Sequence, residues 1–188
     1  MIKQTFGIKD SEFIRGDVPM TKEEVRVITI SKLNLDNHDT VLDIGAGTGS
    51  ISIECARVIE GQVYAIERNP SAVELLHLNQ EKFGVSNLQI IDGFAPEDLP
   101  DADINKIIIG GSGGRMQEIF TAIEKYPVEK IVINTITLEN TTKAVEQLKA
   151  FKYKDIEVVS VNIAKSKMVG NVTMMMGQNP ITIITGAK

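Results

Sequence analysis

The sequence predicts an α/β protein with a doubly wound, seven-stranded sheet that is mostly parallel and whose last strand is antiparallel. Short apolar segments alternate with helical segments along most of the chain, and this order favours a parallel sheet with helices on both faces. The last two predicted strands have no helix between them, so we expect them to pair antiparallel. The length of 188 residues fits one domain, which we expect to span residues 1–188.

Each predicted strand is a short apolar segment bounded by polar residues or glycine. The strands are predicted at 40–44, 62–66, 88–91, 106–109, 130–133, 156–163 and 181–185. A loop rich in glycine and methionine is expected between the last two. Residues 1–20 show little periodicity, and we expect them to form an N-terminal extension that packs on the domain.

Helices are predicted between these strands, and two of them carry clear end signals. Pro70 suits the first turn of a helix over 70–83, and Gly84 suits its end. Another helix is expected to begin at Thr21, where Thr21 and Glu24 match a capping box. The remaining helices are predicted at 50–59, 116–125 and 139–150.

Composition excludes several classes of protein. Twenty Lys and Arg against 25 Asp and Glu give a net charge of −5, which argues against a nucleic-acid binder with an overall basic surface. The single cysteine, Cys55, cannot form an internal disulfide, which favours a reducing compartment. No run reaches the roughly 18 apolar residues of a membrane span, and no signal segment opens the chain. We therefore expect a cytoplasmic protein with no nucleic-acid or membrane partner.

The strongest motif is a glycine-rich loop that follows the first strand and opens a helix. Gly45, Gly47 and Gly49 are spaced G-x-G-x-G, whereas dinucleotide-binding loops are spaced G-x-G-x-x-G. Glycines allow a tight turn and a close approach of ligand to backbone, and the helix start offers free N–H groups. Glu67 ends the second strand, where a carboxylate can bind both hydroxyls of a ribose.

This spacing, with Asp43 and Glu67, resembles the class I S-adenosylmethionine-dependent methyltransferases, which have a Rossmann-like fold. The resemblance implies that Glu67 holds the ribose of the cofactor and Ala95 meets its adenine. It also implies that the methionine part is surrounded by Gly45, Ala46, Gly47, Thr48 and Gly49. The alternative interpretations are a turn-capping acid for Asp43, a solvated strand end for Glu67 and a plain loop residue for Ala95.

Further segments narrow the resemblance to one family. The segments 12–15, 19–26, 65–70, 109–114 and 178–182 are together similar to the cobalt-precorrin methyltransferases of cobalamin biosynthesis. Those enzymes methylate carbon 15 of the macrocycle and decarboxylate a neighbouring acetate. The resemblance implies a cobalt-precorrin tetrapyrrole as substrate, a homotetramer, and a separate protein that methylates carbon 5. It also places Thr21 against the cofactor, which competes with its role as a helix cap.

The substrate would be a flat polycarboxylate. By the resemblance, Gly111, Ser112 and Gly113 would let it approach the backbone after the fourth strand. A basic rim would hold its carboxylates, and the candidates are Arg15, Arg115, Lys165 and Lys167, each of which could equally be a solvated charge. Met168 and residues 174–176 could wall the ring, fill the core or contact another copy.

No catalytic side chain is assigned, because cofactor and substrate would carry the chemistry. No metal-ligand spacing is present, and His38 and His77 are expected at the surface. Three other functions remain open: a methyltransferase acting on tRNA or protein, a non-catalytic S-adenosylmethionine-binding protein, and a nicotinamide dehydrogenase. The acidic composition opposes the RNA enzyme, and the glycine spacing opposes the dehydrogenase.

Overall fold

The computed structural model describes residues 6–188. Its strands are β1 Val41–Ile44, β2 Val63–Glu67, β3 Leu88–Asp92, β4 Lys106–Ile109, β5 Lys130–Thr135, β6 Lys154–Val161, β7 Ala164–Val169, β8 Val172–Gly177 and β9 Ile181–Ala187. Its helices are α1 Glu23–Leu33, α2 Ser50–Val58, α3 Pro70–Phe83, α4 Met116–Ile123 and α5 Leu138–Ala150, with a short 3-10 helix at Asp10–Glu12. Within residues 6–188, each helix is too short or too polar to cross a membrane.

Seven strands form one sheet in the order β3-β2-β1-β4-β5-β9-β6. Strands β1 to β5 run parallel, and β9 lies antiparallel between β5 and β6. The predicted fold class is thus confirmed, including the reversed last strand. The strand order changes direction between β1 and β4, and a parallel sheet offers its ligand crevice at such a point.

Helices cover both faces of the sheet, as the alternation of side chains along β1 illustrates. Val41 packs with α1, α2 and α3 in one apolar cluster, whereas Leu42 and Ile44 pack with α4 and α5 in the other. Successive residues of a strand point to opposite faces, so a strand covered on both sides is apolar throughout. This is why these strands appear in the sequence as short continuous apolar runs.

The predicted capping box at Thr21 is wrong. Helix α1 has Lys22 at its N-cap without a side-chain cap, and the N–H of Glu23 donates to Oδ1 of Asp10 at 2.9 Å. Glu24 points elsewhere and pairs with Lys165 at 2.8 Å. The 3-10 helix brings a carboxylate to the start of α1 from outside the local sequence, and an anion is stabilised there.

The N-terminal segment, residues 6–20, is held on the domain by buried polar contacts. The N–H groups of Gly7 and Ile8 donate to Glu54, at 2.7 and 3.1 Å. Arg26 is fully buried and pairs with the same carboxylate at 2.5 Å. The first five residues of the predicted extension lie outside the described part. These contacts bring residues 18–22 beside the glycine-rich loop.

The predicted glycine- and methionine-rich loop is wrong, because this segment forms the β7–β8 hairpin, a separate two-stranded sheet. Every residue of β8 is exposed, and Met168 and Met175 are each 66% exposed. The methionines of the hairpin therefore do not fill the core of this chain.

Candidate active site

A cavity of about 570 Å³ opens at the carboxyl end of the parallel strands. The N-terminal segment forms one wall through residues 18–22, and the glycine-rich loop forms another through residues 45–48. The end of β5 and the base of the hairpin close the remaining sides. The cavity therefore lies at the crevice that the strand order predicts.

The glycines of the loop are required by its backbone. Gly47 has a φ of +57°, in the left-handed region that residues with a side chain rarely adopt. At Gly45, with a φ of +73°, a Cβ atom would lie 2.7 Å from the backbone nitrogen of Gly111. The loops after β1 and β4 are thus in direct backbone contact. The main chain of the loop after β1 stays open toward the cavity.

Thr48 supplies an unsatisfied polar atom beside the cavity. Its side chain is 1% exposed, its Oγ1 has no hydrogen-bond partner, and the residue lines the cavity. Helix α2 begins two residues later, with Gly49 as an N-cap that provides no side-chain acceptor. A helix start without a cap has free N–H groups and favours anions. This end of the cavity is suited to the carboxylate of a ligand.

Glu67 is held in place by backbone donors. Its Oε2 accepts the N–H of Gly47 at 2.8 Å, and its Oε1 accepts those of Arg68 and Asn69, each at 2.9 Å. A carboxylate has about four lone-pair sites, so it retains capacity for a further hydroxyl donor. Glu67 lines the cavity and is ordered by the loop, which differs from a freely solvated strand end.

Asp43 lies beneath the loop. Its carboxylate is buried, and Oδ2 accepts a hydrogen bond from Oγ of Ser52 at 2.5 Å. Burial, together with the negative charge of Glu67, raises the pKa of Asp43 to about 6. Asp43 also accepts the backbone N–H of Ser52 in the first turn of α2, as the interpretation as a turn-capping acid predicts, and it lines the cavity as well.

A second cavity, of about 170 Å³, lies on the other side of Gly45 and Glu67. Ala95 lines it, and so do Gly111, Ser112, Gly113 and Arg115. Of the loop after β4, only Gly110 lines the larger cavity. The structure thus brings the predicted adenine residue and the predicted substrate loop to the same cavity.

The four predicted basic residues do not converge on the larger cavity. Arg115 lines the second cavity, but it pairs with Glu97 at 2.7 Å and hydrogen-bonds Glu118, and the pKa of Glu97 is lowered by this guanidinium. Lys165 pairs with Glu24. Arg15 and Lys167 are exposed and line neither of these two cavities. His38 and His77 are exposed as expected.

Sequence reasoning missed several residues that do line the larger cavity. Among them are the polar residues Lys22, Asn134, Gln178 and Asn179. Each lies at the end of a helix or strand, or in a loop beside one, as binding residues in α/β proteins often do. Asn134 in β5 was the most accessible of these to prediction, because the carboxyl ends of parallel strands meet at the crevice.

Comparison with known proteins agrees with this architecture. The family model described as a precorrin methyltransferase domain matches residues 12–188. A relative from Methanococcus vannielii is 42% identical over 185 residues, covering 96% of this chain and 99% of its own. It is named a probable cobalt-precorrin-6B C(15)-methyltransferase (decarboxylating).

Two crystal structures are similar over nearly the whole chain. Precorrin-6y C5,15-methyltransferase from Geobacter metallireducens has a TM-score of 0.88 and 41% identity, covering 97% of this chain and 98% of its own. Precorrin 8w decarboxylase from Methanobacterium thermoautotrophicum has a TM-score of 0.87 and 34% identity, covering 96% and 100%. The chain therefore belongs to the precorrin methyltransferase family.

Proposed function

We propose that this protein methylates carbon 15 of a cobalt-precorrin with S-adenosylmethionine and decarboxylates the neighbouring acetate side chain. One observation carries the proposal: a single cavity joins an ordered acid, a glycine-rich loop and an uncapped helix start to an open apolar region. The names of the relatives, over almost the full length of the chain, support the same reaction.

The cofactor-binding end of the cavity fits S-adenosylmethionine. The unpartnered Oγ1 of Thr48 and the free N–H groups of α2 suit the carboxylate of its methionine part. The loop residues proposed around that part are Gly45, Ala46, Gly47, Thr48 and Gly49. When bound, the cofactor supplies a methyl group on a sulfonium centre.

Three further residues complete the proposed cofactor site. Glu67 accepts a ribose hydroxyl with a carboxylate that backbone donors already orient. Ala95 meets the adenine in the second cavity, on the far side of Glu67. Thr21 lines the larger cavity, and its hydroxyl is available because it does not cap α1.

The remainder of the larger cavity is proposed to hold the macrocycle. Its apolar side chains are Val18, Met20, Ile136, Ile163 and Ile181. Alignment of the ring carbon with the methyl group supplies much of the rate, so no side chain has to act as acid or base in that step. Loss of carbon dioxide leaves its bonding electrons in the conjugated ring, and an apolar wall favours a step that spreads the localised charge of a carboxylate over the ring.

The predicted substrate contacts by Gly111, Ser112, Gly113, Arg15, Arg115, Lys165 and Lys167 stay predictions. Arg115 and Lys165 would have to exchange an acidic partner of this chain for a substrate carboxylate. The single domain over residues 1–188, the cytoplasmic location and the separate carbon-5 methyltransferase also stay predictions.

We further propose a homotetramer in which the β7–β8 hairpin contacts other copies. An isolated two-stranded hairpin is marginally stable in water, and an exposed apolar surface commonly marks an interface. The hairpin exposes Met168, Val172 and Met175 by 60% or more of each residue. These features support an association through the hairpin.

The activity is tested by mass spectrometry of cobalt-precorrin-6B incubated with the protein and S-adenosylmethionine. Methylation adds about 14 mass units and loss of carbon dioxide removes about 44, so both together lower the mass by about 30. A gain of about 14 alone would remove the decarboxylation from the proposal. Unchanged mass, with bound cofactor and a substrate that a relative converts, would contradict the proposed function.

A further inference from the structure

The larger cavity has an uneven charge distribution. Two acids line it, Asp43 and Glu67, both at the cofactor-binding end. Among the described residues, Lys22 is the one lysine or arginine in its lining. A polycarboxylate entering this cavity would be repelled by the acids and attracted at a single point.

Within residues 6–188 the ammonium group of Lys22 has no ion pair, whereas three other cations near the two cavities are each paired. Arg26 pairs with Glu54, Lys165 with Glu24, and Arg115 with Glu97. Glu24, two residues further along the chain, pairs with Lys165 of the hairpin. The Lys22 side chain is half-buried on the cavity wall, so its charge is available to a ligand there.

The backbone around Lys22 is rigidly placed. The carbonyl oxygen of Lys22 accepts the N–H of Arg26 at 2.8 Å, in the first turn of α1. The carbonyl oxygen of Thr21 accepts a hydrogen bond from Nη1 of Arg26 at 2.6 Å. Because the Arg26 side chain is fully buried, this wall does not depend on a solvent-exposed loop for its position. The base of the Lys22 side chain is thus fixed before any ligand binds.

We propose that Lys22 is the residue that anchors a carboxylate of the substrate and thereby orients the macrocycle in the larger cavity. The inference rests on the proposed function and extends it. Gln178 and Asn179 line the same cavity and offer amide donors to the polar rim of the ring. The anchor is a specificity-determining residue and takes no part in bond making.

The chemistry decides which carboxylate Lys22 holds. A cation stabilises an ionised carboxylate and therefore opposes its loss as neutral carbon dioxide. Lys22 accordingly binds a side chain that the product retains, while the acetate that is lost faces the apolar wall near Ile136 and Ile163. Removing the positive charge should weaken binding without blocking decarboxylation of the molecules that do bind.

The test uses Lys22→Met, Lys22→Arg and the control Lys143→Met, which removes an exposed lysine on α5 that lines neither cavity. With cobalt-precorrin-6B, Lys22→Met should raise KM roughly 10- to 100-fold, the usual effect of losing a hydrogen bond to a charged group. Lys22→Arg and Lys143→Met should stay within about threefold of the unchanged protein, since both keep a cation at position 22.

Further measurements separate the alternatives. The Kd of S-adenosylmethionine, by calorimetry, should be the same in Lys22→Met and the unchanged protein, and the higher KM should no longer depend steeply on salt. An unchanged KM in Lys22→Met would overturn the proposed role of Lys22 as an anchor. A loss of cofactor affinity as large as the rise in KM would overturn it as well. If the unchanged protein itself leaves cobalt-precorrin-6B intact, the proposed function fails, whatever Lys22→Met does.

Discussion

The carboxylate of Glu67 accepts backbone N–H groups from Gly47, Arg68 and Asn69. These contacts orient both oxygens before a ligand arrives, which reduces the ordering that binding would otherwise require. An amide in the same place would present an NH₂ group to at least one of these donors. The position is therefore sensitive to a change that keeps the size of the side chain.

We predict that Glu67→Gln raises the Kd of S-adenosylmethionine roughly 10- to 100-fold, because a charge-assisted acceptor is lost. Isothermal titration calorimetry measures the change. The matched control is Glu74→Gln, at an exposed glutamate on α3, which should bind as the unchanged protein does. Equal affinity in Glu67→Gln would remove Glu67 from the cofactor site.

Asp43 gives a prediction about pH. Its pKa rises from 3.8 to about 6 in the folded protein, which corresponds to about 3 kcal/mol. The folded state holds this proton more tightly than the unfolded state, so the contribution of Asp43 is most favourable below pH 4. This contribution to the free energy of unfolding is lost as the pH rises from about 4 to about 6. Above pH 6 the buried carboxylate is ionised, and its full cost to stability applies.

We therefore expect Asp43→Asn to gain stability relative to the unchanged protein as the pH rises from 4 to 7, by up to about 3 kcal/mol. Urea unfolding of both proteins at several pH values gives the difference directly and cancels the other carboxylates. Asp17→Asn, which removes a carboxylate at an exposed site, is the matched control. A flat difference for Asp43→Asn would show that Asp43 titrates normally.

At the scale of elements, the loops after β1 and β4 support each other through Gly45 and Gly111. A Cβ atom at Gly45 would meet backbone atoms of Gly111 at 2.7 Å, whereas one at Gly84 would meet no atom within 4 Å. Both glycines have left-handed backbone, with φ of +73° and +63°. Comparing the two positions separates the cost of the conformation from the cost of the collision.

We predict that Gly84→Ala costs about 1 to 2 kcal/mol of unfolding free energy, the usual cost of a left-handed residue with a side chain. Gly45→Ala should cost more and should also weaken the binding of S-adenosylmethionine, because the loop must shift away from Gly111. Urea unfolding and calorimetry test the two effects. Equal costs at both positions would mean that the loops separate without penalty.

The N-terminal segment depends on the buried pair of Arg26 and Glu54. We predict that Glu54→Leu destabilises the protein by about 3 to 5 kcal/mol, because it leaves the buried Arg26 charge with only the longer ion pair to Asp10, at 3.4 Å. The double variant Arg26→Met/Glu54→Leu should recover part of the loss. Lys32→Met, which removes one partner of an exposed pair with Glu157, should cost less than about 1 kcal/mol. Similar costs for Glu54→Leu and Lys32→Met would contradict the proposed importance of the buried pair of Arg26 and Glu54.

At the scale of the whole molecule, the exposed hairpin is the feature most relevant to assembly. We predict that Met175→Glu lowers the sedimentation coefficient from that of a tetramer to that of a smaller species, because it buries a charge in the proposed interface. Leu78→Glu, at an exposed apolar residue on α3, is the control and should leave the tetramer intact. Unchanged sedimentation of Met175→Glu would exclude this part of the hairpin from the interface.

The larger outline of the molecule follows from local signals. The helix from Pro70 to Phe83, ended by Gly84, has the predicted bounds, and β4 has them as well. The glycine spacing after β1 and the acid at Glu67 point to the cofactor site without coordinates. Such features depend on residues a few positions apart, which act through backbone sterics and hydrogen bonding.

Contacts between distant parts of the chain were decided only by the tertiary structure. Asp10 caps α1 in place of Thr21, from 13 residues before Glu23. Lys165 is paired with Glu24, while Lys22 has no ion-pair partner among residues 6–188 and lines the cavity. The predicted loop before β9 is instead a hairpin whose strands pair with each other.

The physical reason is that charges and polar groups choose partners by distance in space. Sequence by itself determined the order of the five helices and of the seven strands of the main sheet, the glycine-rich loop and the family, because each is encoded in local spacing and pattern. Which cation faces the larger cavity depends on every other acid and base that the fold brings within about 4 Å, where Coulomb attraction becomes strong. That distribution exists only once α1, the N-terminal segment and the hairpin have packed together.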